Sequence, residues 1–300
     1  LHELCGRAML GYVLDQARAL EPERIVLVVG VGRDEVAAFV EEEGLGSVVR
    51  LAVQEEQLGT GHAVRCALGE IPREESGPVV VLYGDMPCLR TETLRALCDR
   101  WHAQSSSGVV LTTAVPNEPR GFGRIVRKDG NVQRIVEERD CGPDQLAIRE
   151  VNVGVYAFAA SDLHVHLPAL SNDNAQAEYY LTDVVLRVLE EGRPADALTI
   201  ADEREAIGIN NLSHLAEARA VVQERILEAH LAAGVHIEDP ATTYIDHGVE
   251  IGAGTEVLPC TVIRRGVRIG EGCEVGPFSH LRVGTVLKDG AEIGNFTETK

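Results

Sequence analysis

A strict six-residue repeat near the carboxyl end of the chain constrains its fold more than any other feature. An apolar residue recurs at every sixth position, and a small or β-branched residue follows each one by four positions. A hexapeptide repeat with an inward apolar position and a small corner position predicts a parallel β-helix, in which three repeats form one coil of triangular section. The apolar positions are Ile245, Ile251, Val257, Ile263, Ile269, Val275, Leu281, Leu287 and Ile293, and the small positions are Val249, Thr255, Thr261, Val267, Cys273, Ser279, Thr285, Ala291 and Thr297.

The first two hundred residues follow a different pattern, in which short apolar strands alternate with amphipathic helices. Helices are predicted at 10–20, 34–43, 60–68 and 91–101, with Asp34 as the cap of the second, and strands at 25–29, 48–53 and 79–83. This alternation predicts an α/β domain with a doubly wound parallel sheet. A hairpin around Asp129-Gly130, a long strand at 150–158 and a helix at 179–191 are predicted to follow.

A long helix is predicted between these two patterns. Leu215, Val222 and Ile226 recur at helical spacing, and Gly234 supplies a left-handed stop at the end of the helix. We therefore expect a first domain at 1–210, a linker helix at 211–234 and a truncated β-helix at 235–300.

Composition argues against several classes of function. The net charge of −19 disfavours a general nucleic-acid binder, which needs a basic face to displace counterions. The seven cysteines are scattered without a CxxC pair, which indicates free thiols in a reducing cytoplasm. The longest apolar runs are too short to cross a bilayer, so no membrane span is predicted.

The stretch PVVVLYGDMP, at 78–87, places a carboxylate at the end of an apolar strand. Ligands of open α/β sheets bind at the carboxyl ends of strands, and carboxylate oxygens beside phosphates suit a divalent metal ion. Gly84 allows a ligand to approach the backbone. Asp85 is therefore either a metal ligand or the cap of the helix that begins near Thr91.

The stretch QEEQLGTGHA, at 54–63, is the most specific motif. Gly59, Thr60 and Gly61 directly precede a helix and supply N–H groups and a hydroxyl suited to a base or phosphate edge. Gln54 has the amide donor and acceptor that can read a pyrimidine edge. The structural alternative is a glycine turn with a threonine cap.

Four further polar positions have both a binding and a structural interpretation. Gly123 belongs to a substrate-binding turn or to the entry of the hairpin. Glu137 accepts hydrogen bonds from sugar hydroxyls or is solvated at a strand end. Asn152 interrupts an apolar strand, where it contacts a ligand or makes a structural hydrogen bond. Asn210 ligates a metal or a sugar, or it caps the long helix.

Seven motifs, together with the hexapeptide repeats that follow, resemble one bacterial enzyme family. The motifs are QEEQLGTGHA, LYGDMP, GFGRI, IVEERD, EVNVGVYAF, NAQAEYYLTD and GINN. The family is the bifunctional N-acetylglucosamine-1-phosphate uridylyltransferase/glucosamine-1-phosphate N-acetyltransferase of envelope precursor synthesis, and the resemblance covers essentially the whole chain. It implies a Rossmann-like nucleotidyltransferase domain, a linker helix and a left-handed parallel β-helix that forms a homotrimer.

The resemblance also implies how the first domain binds UTP and Mg²⁺. The positions that match uridine contacts of the family are Gln54, Gly59 and Thr60. Tyr83, Gly84 and Asp85 match a YGD turn whose aspartate binds magnesium, and Asn210 matches the second protein ligand of that ion. The implied reaction is in-line attack by N-acetylglucosamine 1-phosphate on the α-phosphate of UTP, with release of pyrophosphate.

The remaining matches concern the sugar and the second activity. Gly123, Glu137 and Asn152 match contacts to the N-acetylglucosamine moiety. Arg282 and Lys300, in the stretches LRVG and GNFTETK, match positions of the acetyltransferase that bind the acceptor sugar phosphate.

Two departures from the family pattern affect the expected activity. An opening strand, a glycine-rich phosphate loop and a Pro-Lys pair would precede Leu1, whereas the catalytic histidine and the acetyl-CoA-binding coils would follow Lys300. We therefore expect severely impaired uridylyl transfer and no acetyltransferase activity from this chain. The repeat region before LRVG is also shorter than is usual in the family.

Two other functions remain open on the sequence. One is a related nucleotidyltransferase that uses another base or another sugar 1-phosphate. The other is a non-catalytic regulatory or scaffold protein with the same two-domain plan. The presence of a glycine-rich loop with basic residues upstream of Leu1 would favour an enzyme over a scaffold.

Overall fold

The computed structural model describes residues 1–104, 108–119 and 121–300. The helices are α1 Met9–Arg18, α2 Arg33–Glu42, α3 Thr60–Ala67, α4 Thr91–Ala103, α5 Pro143–Leu146, α6 Ala160–His166, α7 Thr182–Glu190 and α8 Leu212–Ala232. The longer strands are β3 Ile25–Val29, β4 Val49–Val53, β5 Val79–Val81, β6 Val109–Ala114, β7 Arg124–Lys128, β8 Asn131–Val136, β9 Val151–Phe158 and β10 Ala195–Thr199. The two-residue strands are β1 Glu3–Leu4, β2 Arg7–Ala8, β11 His236–Ile237, β12 Tyr244–Ile245, β13 Glu250–Ile251, β14 Glu256–Val257, β15 Val262–Ile263, β16 Arg268–Ile269, β17 Glu274–Val275, β18 His280–Leu281, β19 Val286–Leu287 and β20 Glu292–Ile293.

The described residues form two compact units. The α/β unit comprises Val13–Ala206, and the repeat unit comprises Leu1–Tyr12 together with Ile207–Lys300.

The α/β unit is built on a mixed sheet of six strands. The strand order is β10-β6-β9-β7-β8, and β5 pairs with β9 beside this path. β10 runs parallel to β6, whereas β9 runs antiparallel to β5, β6 and β7. β3 and β4 form a separate parallel pair, from Ile25 opposite Val49 to Val29 opposite Val53.

Strand β9 is buried along its whole length, because both faces of the sheet are covered. Val153 and Val155 pack with residues of α4 on one face. Tyr156 packs with residues of α6 and α7 on the other. Side chains alternate between the faces of a strand, so Asn152 and Gly154 lie on the same face as Tyr156.

The prediction of a doubly wound parallel sheet is wrong in its strand pairing. β5, expected as a central parallel strand, has three half-buried residues and pairs antiparallel with β9. In the described part of the chain, β3 and β4 are parallel but belong to a sheet of their own. An apolar run indicates that a strand is buried and contains no information about its direction or its neighbours, which explains the error.

Most of the predicted strands and helices are confirmed, with small shifts at their ends. The hairpin turn is also confirmed, because Asp129 and Gly130 have φ of 51° and 83°, the left-handed pair of a type I′ turn. The predicted cap of α2 is wrong. Gly32, with φ of 81°, is the N-cap residue, and Arg33 begins the helix. Asp34 therefore lies in the first turn, where its negative charge interacts favourably with the helix dipole.

The repeat unit contains three parallel sheets, with strand orders β11-β14-β17-β20, β12-β15-β18 and β13-β16-β19. Each strand from β12 to β17 pairs with the strand three repeats further along the chain, as Ile245 does with Ile263 and Ile263 with Leu281. The predicted inward residues are the second residues of these strands, and Ile245, Val257 and Ile263 are fully buried. This pairing is consistent with the predicted parallel β-helix, and the left hand of its coil stays a prediction.

The small corner residues from Val249 to Ser279 are buried, and the hydroxyls among them have backbone partners, as buried polar groups require. Thr255 Oγ1 donates to Gly270 O at 2.8 Å and accepts from Cys273 N at 3.1 Å. Ser279 Oγ donates to Gly294 O at 3.0 Å. Larger side chains at these positions would displace the neighbouring coil.

A short hairpin of β1 and β2 packs within the repeat unit. Cys5 and Gly6 form its turn, with φ of 45° and 74°. His247 N donates to Cys5 O at 2.7 Å, and Arg265 Nη1 donates to Gly6 O at 3.3 Å. The sequence assigned residues 1–12 to the first domain, whereas these hydrogen bonds hold them in the repeat unit. The functional division of the chain otherwise stays a prediction.

The predicted long helix is present as α8. Asn211 caps it, because Asn211 Oδ1 accepts from His214 N at 2.9 Å. The chain leaves the helix through Gly234, whose φ of 87° is the expected left-handed stop. No helix in the described ranges combines the length and the apolar content needed to cross a membrane.

Candidate active site

Strand β4 delivers Gln54 to the carboxyl edge of the parallel pair. Gln54 N donates to Val29 O at 2.8 Å, which fixes its backbone beside β3. Its side-chain Nε2 lies 3.3 Å from Gly59 O and 2.9 Å from His62 Nδ1. Gln54 also borders a cavity of about 340 Å³ at the ends of β3 and β4. The residues lining this cavity are Gly30, Val31, Gly32, Arg33, Asp34, Val53, Gln54 and Glu55.

The glycine turn before α3 packs closely against the segment before α7. A Cβ atom at Gly59, where φ is 100°, would lie 2.9 Å from Tyr179 O, so this position requires glycine. Gly61 N donates to Tyr179 O at 2.8 Å. Thr60 Oγ1 accepts from Leu181 N at 3.2 Å. The structural alternative of a threonine cap is wrong, because Gly59 is the N-cap residue and Thr60 begins the helix.

The ring of Tyr83 lies directly against strand β9. A Cβ atom at Gly154, where φ is 93°, would lie 2.6 Å from Tyr83 Cε2, so only glycine leaves room for the ring. Burial raises the pKa of Tyr83 to about 12, with smaller contributions from the charges of Glu137 and Asp85 and an opposing hydrogen bond with Thr60. The phenol therefore stays neutral at physiological pH and keeps its proton for hydrogen bonding.

Asp85 is half-buried two residues beyond Tyr83. Burial raises the pKa of its carboxyl group, and a hydrogen bond from its own backbone N–H opposes this shift. Desolvation disfavours the charged form of a carboxylate, so a bound cation that supplied the opposite charge would stabilise it.

The alternative role of Asp85 as a helix cap is wrong. Arg90 is the N-cap residue of α4, and a distant carboxylate satisfies the start of the helix. Glu205 Oε2 accepts from Arg90 N at 2.9 Å and from Thr93 Oγ1 at 2.7 Å. Asp85 is consequently not needed for this cap.

Glu137 follows β8 and faces two elements of the same unit. Thr182 Oγ1 donates to Glu137 Oε1 at 3.1 Å. A Cβ atom at Gly123 would lie 3.4 Å from Glu137 Oε2. Burial raises the pKa of Glu137, and neighbouring carboxylates raise it further against the opposing hydrogen bond from Thr182. Glu137 is therefore a desolvated acceptor beside a hydroxyl.

Asn152 is buried in β9 and has protein partners. Its Nδ2 donates to Tyr156 Oη at 2.6 Å, and its Oδ1 accepts from Gly154 N at 3.3 Å. Its backbone N donates to Gly123 O at 2.8 Å. Burial raises the pKa of Tyr156 well above its ordinary value. Asn152 therefore makes structural hydrogen bonds, which were one of the two alternatives offered by the sequence. Its contact with a ligand stays a prediction.

These contacts bring most of the predicted residues together at one site in the α/β unit. Gln54 and Gly59 form one end, Thr60 and Tyr83 connect it to β9, and the carboxylate of Glu137 lies at the other end. None of the predicted side chains gathered here is cationic. The predicted residues in this site are Gln54, Gly59, Thr60, Tyr83, Gly84, Asp85, Gly123, Glu137 and Asn152.

Three predicted residues belong to the repeat unit. Asn210 is exposed, with its Nδ2 3.5 Å from Gly208 O, and the helix cap is the next residue. Arg282 Nη2 and Nε donate to Glu298 Oε1 at 2.6 and 3.0 Å, and this pairing lowers the pKa of Glu298. Lys300 is exposed. The ligand roles of these three residues stay predictions.

Sequence reasoning missed three residues that shape the site. Gly154 could have been found, because a glycine inside an apolar strand often marks a close approach. Thr182 belongs to the motif NAQAEYYLTD, which the resemblance included without assigning this residue. His62 carries no signal in its spacing, because its hydrogen bond to Gln54 depends on the turn between them.

The family model for the MobA-like NTP transferase domain matches residues 1–180. The chain belongs to this family. Several curated relatives named bifunctional protein GlmU are also similar. The protein of Lactobacillus delbrueckii subsp. bulgaricus is 43% identical over 258 residues, which cover 86% of this chain and 54% of that protein. The protein of Streptomyces avermitilis is 46% identical over 263 residues, which cover 87% of this chain and 54% of that protein.

The predicted family resemblance and the predicted nucleotidyltransferase class are confirmed by these matches. The chain spans about half the length of the curated relatives it matches.

Solved structures support the Rossmann-like α/β fold. A UDP-glucose pyrophosphorylase in complex with UDP-glucose aligns with a TM-score of 0.57 and 15% identity, over 73% of this chain and 88% of that chain. A putative glucose-1-phosphate thymidylyltransferase from Bacillus anthracis aligns with a TM-score of 0.57 and 16% identity, over 73% and 85% of the two chains. At this identity the likeness concerns the fold alone.

We predict that Gly154→Ala destabilises the chain more than Gly130→Ala. Both glycines have a left-handed φ, 93° and 83°, so both alanines are strained by about 1–2 kcal/mol. Only the alanine at 154 also meets the Tyr83 ring, because nothing lies within 4 Å of a Cβ atom at Gly130. Urea unfolding measures both free energies. Equal losses would show that the ring does not need this glycine.

We predict that Glu137→Gln stabilises the chain, relative to the unchanged chain, more at neutral pH than at acidic pH. Because the pKa of Glu137 is raised in the folded state, the folded state holds more protons than the unfolded state just above the ordinary carboxyl value of 4.5. Stability therefore falls as pH rises from there through the raised pKa, and glutamine removes this loss while still accepting from Thr182.

Thermal unfolding from pH 4 to pH 8 measures this difference, with the exposed loop variant Glu74→Gln as control. The melting temperature of Glu137→Gln minus that of the unchanged chain should increase with pH and then level off. A difference that does not change with pH, or that decreases, would contradict the burial of this carboxylate.

Proposed function

We propose that the chain is part of an enzyme that transfers a uridylyl group from UTP to N-acetylglucosamine 1-phosphate, giving UDP-N-acetylglucosamine and pyrophosphate. The observation that carries the proposal is the set of contacts joining Gln54, Tyr83 and Glu137 in one site of the α/β unit. The similarity to proteins named bifunctional protein GlmU supports it.

The end of the site at Gln54 suits a uracil base. Two hydrogen-bond acceptors, Gly59 O and His62 Nδ1, face Gln54 Nε2, so the amide oxygen Oε1 is left to accept from a ligand. Uracil has a donor at N3–H, which Oε1 can accept. Cytosine has a lone pair at N3 instead, and it would oppose the same oxygen.

The other end suits a sugar with several hydroxyl groups. Glu137 is a desolvated carboxylate that accepts hydrogen bonds, and Thr182 beside it both donates and accepts. Gly123 leaves space next to the carboxylate. A sugar hydroxyl that donates to Glu137 would replace the water lost on burial, which is the source of affinity at this end.

The phosphates require a positive charge that the gathered side chains do not supply. Nucleotidyltransferases of this family generally use a divalent metal ion. We propose that the ion is Mg²⁺ and that Asp85 is one of its ligands, whereas the ligand role of Asn210 stays a prediction. The described residues include no group of three or more His, Cys, Asp or Glu side chains that could hold a metal. Such an ion would therefore take its other ligands from phosphate and water, as Mg²⁺ commonly does.

Within this proposal, the side chains bind and orient rather than form a covalent intermediate. The neutral phenol of Tyr83 and the backbone at Gly84 would border the phosphates, and Mg²⁺ held at Asp85 would supply the positive charge that neutralises them. The sugar 1-phosphate attacks the α-phosphate in line, and pyrophosphate leaves on the opposite side. The rate then depends on how well the two ends of the site align the reactants.

A thymidylyltransferase is the second candidate, and the geometry at Gln54 supports it as well. Thymine has the same N3–H donor as uracil, so Gln54 does not distinguish the two bases. Comparison of UTP with dTTP decides between these candidates.

The repeat unit supports a further part of the proposal. Its three parallel sheets suit a left-handed β-helix that forms a homotrimer, and Arg282 and Lys300 would bind a sugar phosphate in the acetyltransferase half of the parent protein. We propose a cytoplasmic enzyme without a nucleic-acid partner.

The proposal predicts that Asp85→Asn lowers the rate of pyrophosphate release by about 10²-fold or more, the size expected when one electrostatic stabiliser of a transition state is lost. The assay contains UTP, N-acetylglucosamine 1-phosphate and Mg²⁺. It uses this chain and the full product of the gene that encodes it. Asp129→Asn, in the hairpin turn, is the matched control and should keep the full rate.

Release with UTP that depends on Mg²⁺ and on Asp85 would support the substrate assignment. If neither version releases pyrophosphate, and both are shown to be folded, the substrate assignment is contradicted. Release with dTTP but not with UTP would move the assignment to the second candidate.

A further inference from the structure

The amide of Gln54 is held in one orientation by two acceptors. Gly59 O is a carbonyl oxygen and can only accept, so the amide atom 3.3 Å away must be the nitrogen. The second hydrogen of the same Nε2 is directed to His62 Nδ1, 2.9 Å away. Gln54 Oε1 therefore points away from both partners.

This geometry also determines the tautomer of His62. Nδ1 accepts from Gln54, so the proton of the neutral imidazole is on Nε2. Nε2 lies 3.9 Å from Cys66 Sγ, one turn further along α3, where a weak contact with sulfur is available. The ring also lies 6.1 Å from the ring of Tyr179. His62 is thus held between the turn and its own helix.

We infer that His62 is a positioning residue that fixes the amide of Gln54 with its oxygen toward the nucleotide base. The inference rests on the proposed function, because it concerns the base-binding end of the same site. Without an acceptor at position 62, only the longer bond to Gly59 O opposes rotation of the amide. A rotated amide presents its NH₂ group to the base, which suits the N3 lone pair of cytosine and opposes the N3–H of uracil.

The inference predicts that the residue at position 62 controls base selectivity. In His62→Ala the acceptor is lost, and the amide is free to rotate. In His62→Asp both carboxylate oxygens can only accept, so the orientation of the amide is kept. The aspartate adds a negative charge, which weakens binding of UTP and CTP alike and leaves their ratio unchanged.

The test is calorimetric titration of the 300-residue chain with UTP and with CTP in the presence of Mg²⁺. The expected preference of the unchanged chain for UTP is about tenfold or more, equal to about 1.4 kcal/mol. His62→Ala should lose most of this preference, and His62→Asp should keep it. His102→Ala, an exposed histidine on α4, is the matched control and should match the unchanged chain.

Each outcome separates the inference from the proposed function. A chain that prefers UTP and keeps this preference in His62→Ala would overturn the role of His62 and leave the function standing. Loss of the preference in a folded His62→Asp would also overturn it. A chain that binds both nucleotides equally would contradict the proposed function itself, and for a chain that binds neither, the tautomer of His62 is the test of the inference.

A second measurement tests the inference even if His62→Ala does not fold. Long-range ¹H–¹⁵N spectra of the unchanged chain report which ring nitrogen of each histidine carries the proton. His62→Asp identifies the signals of His62 by their disappearance. The proton on Nε2 is the expected result, and a proton on Nδ1 would overturn the inference.

Discussion

The close packing of Tyr83 against Gly154 is the contact on which the candidate site depends. Strand β9 is buried on both faces, and its alternation places Asn152, Gly154 and Tyr156 toward the same side. The missing side chain at Gly154 leaves room for the ring of Tyr83, which follows β5. The hydroxyl of Tyr83 in turn hydrogen-bonds with Thr60 and thereby connects the glycine turn to the sheet. One glycine thus determines how the two ends of the site are joined.

Charge is the second constraint on this site. Burial raises the pKa of Asp85 and of Glu137, so neither carboxylate is fully stabilised as an anion by the protein. Such groups lower the free energy of unfolding, and a ligand that donated a hydrogen bond or brought positive charge would offset this loss. The chain has a net charge of −19, and its proposed substrates are polyanions. A divalent cation at Asp85 would reduce the repulsion between the negative charges of the protein and of the substrates at this site.

The sequence predicted the elements of the fold better than their arrangement. The six-residue period identified the inward residues of the repeat unit, because each repeat obeys the same local rule. The pairing of β5 was predicted wrongly, since an apolar run reports burial and not direction. The contacts of residues 1–12 within the repeat unit were not predicted, because hydrogen bonds such as His247 N to Cys5 O join distant parts of the chain. The motif residues of the α/β unit came together because strand ends place them there, whereas the role of His62 depends on a side-chain contact that no spacing reveals.

The most direct test is a crystal structure of the chain with UDP-N-acetylglucosamine and Mg²⁺. We expect the uracil N3 atom within hydrogen-bond distance of Gln54 Oε1, and the sugar hydroxyls against Glu137. We also expect the metal ion on a carboxylate oxygen of Asp85. A nucleotide bound elsewhere, or bound with its base away from Gln54, would show that this site does not bind a uridine diphosphate sugar as proposed.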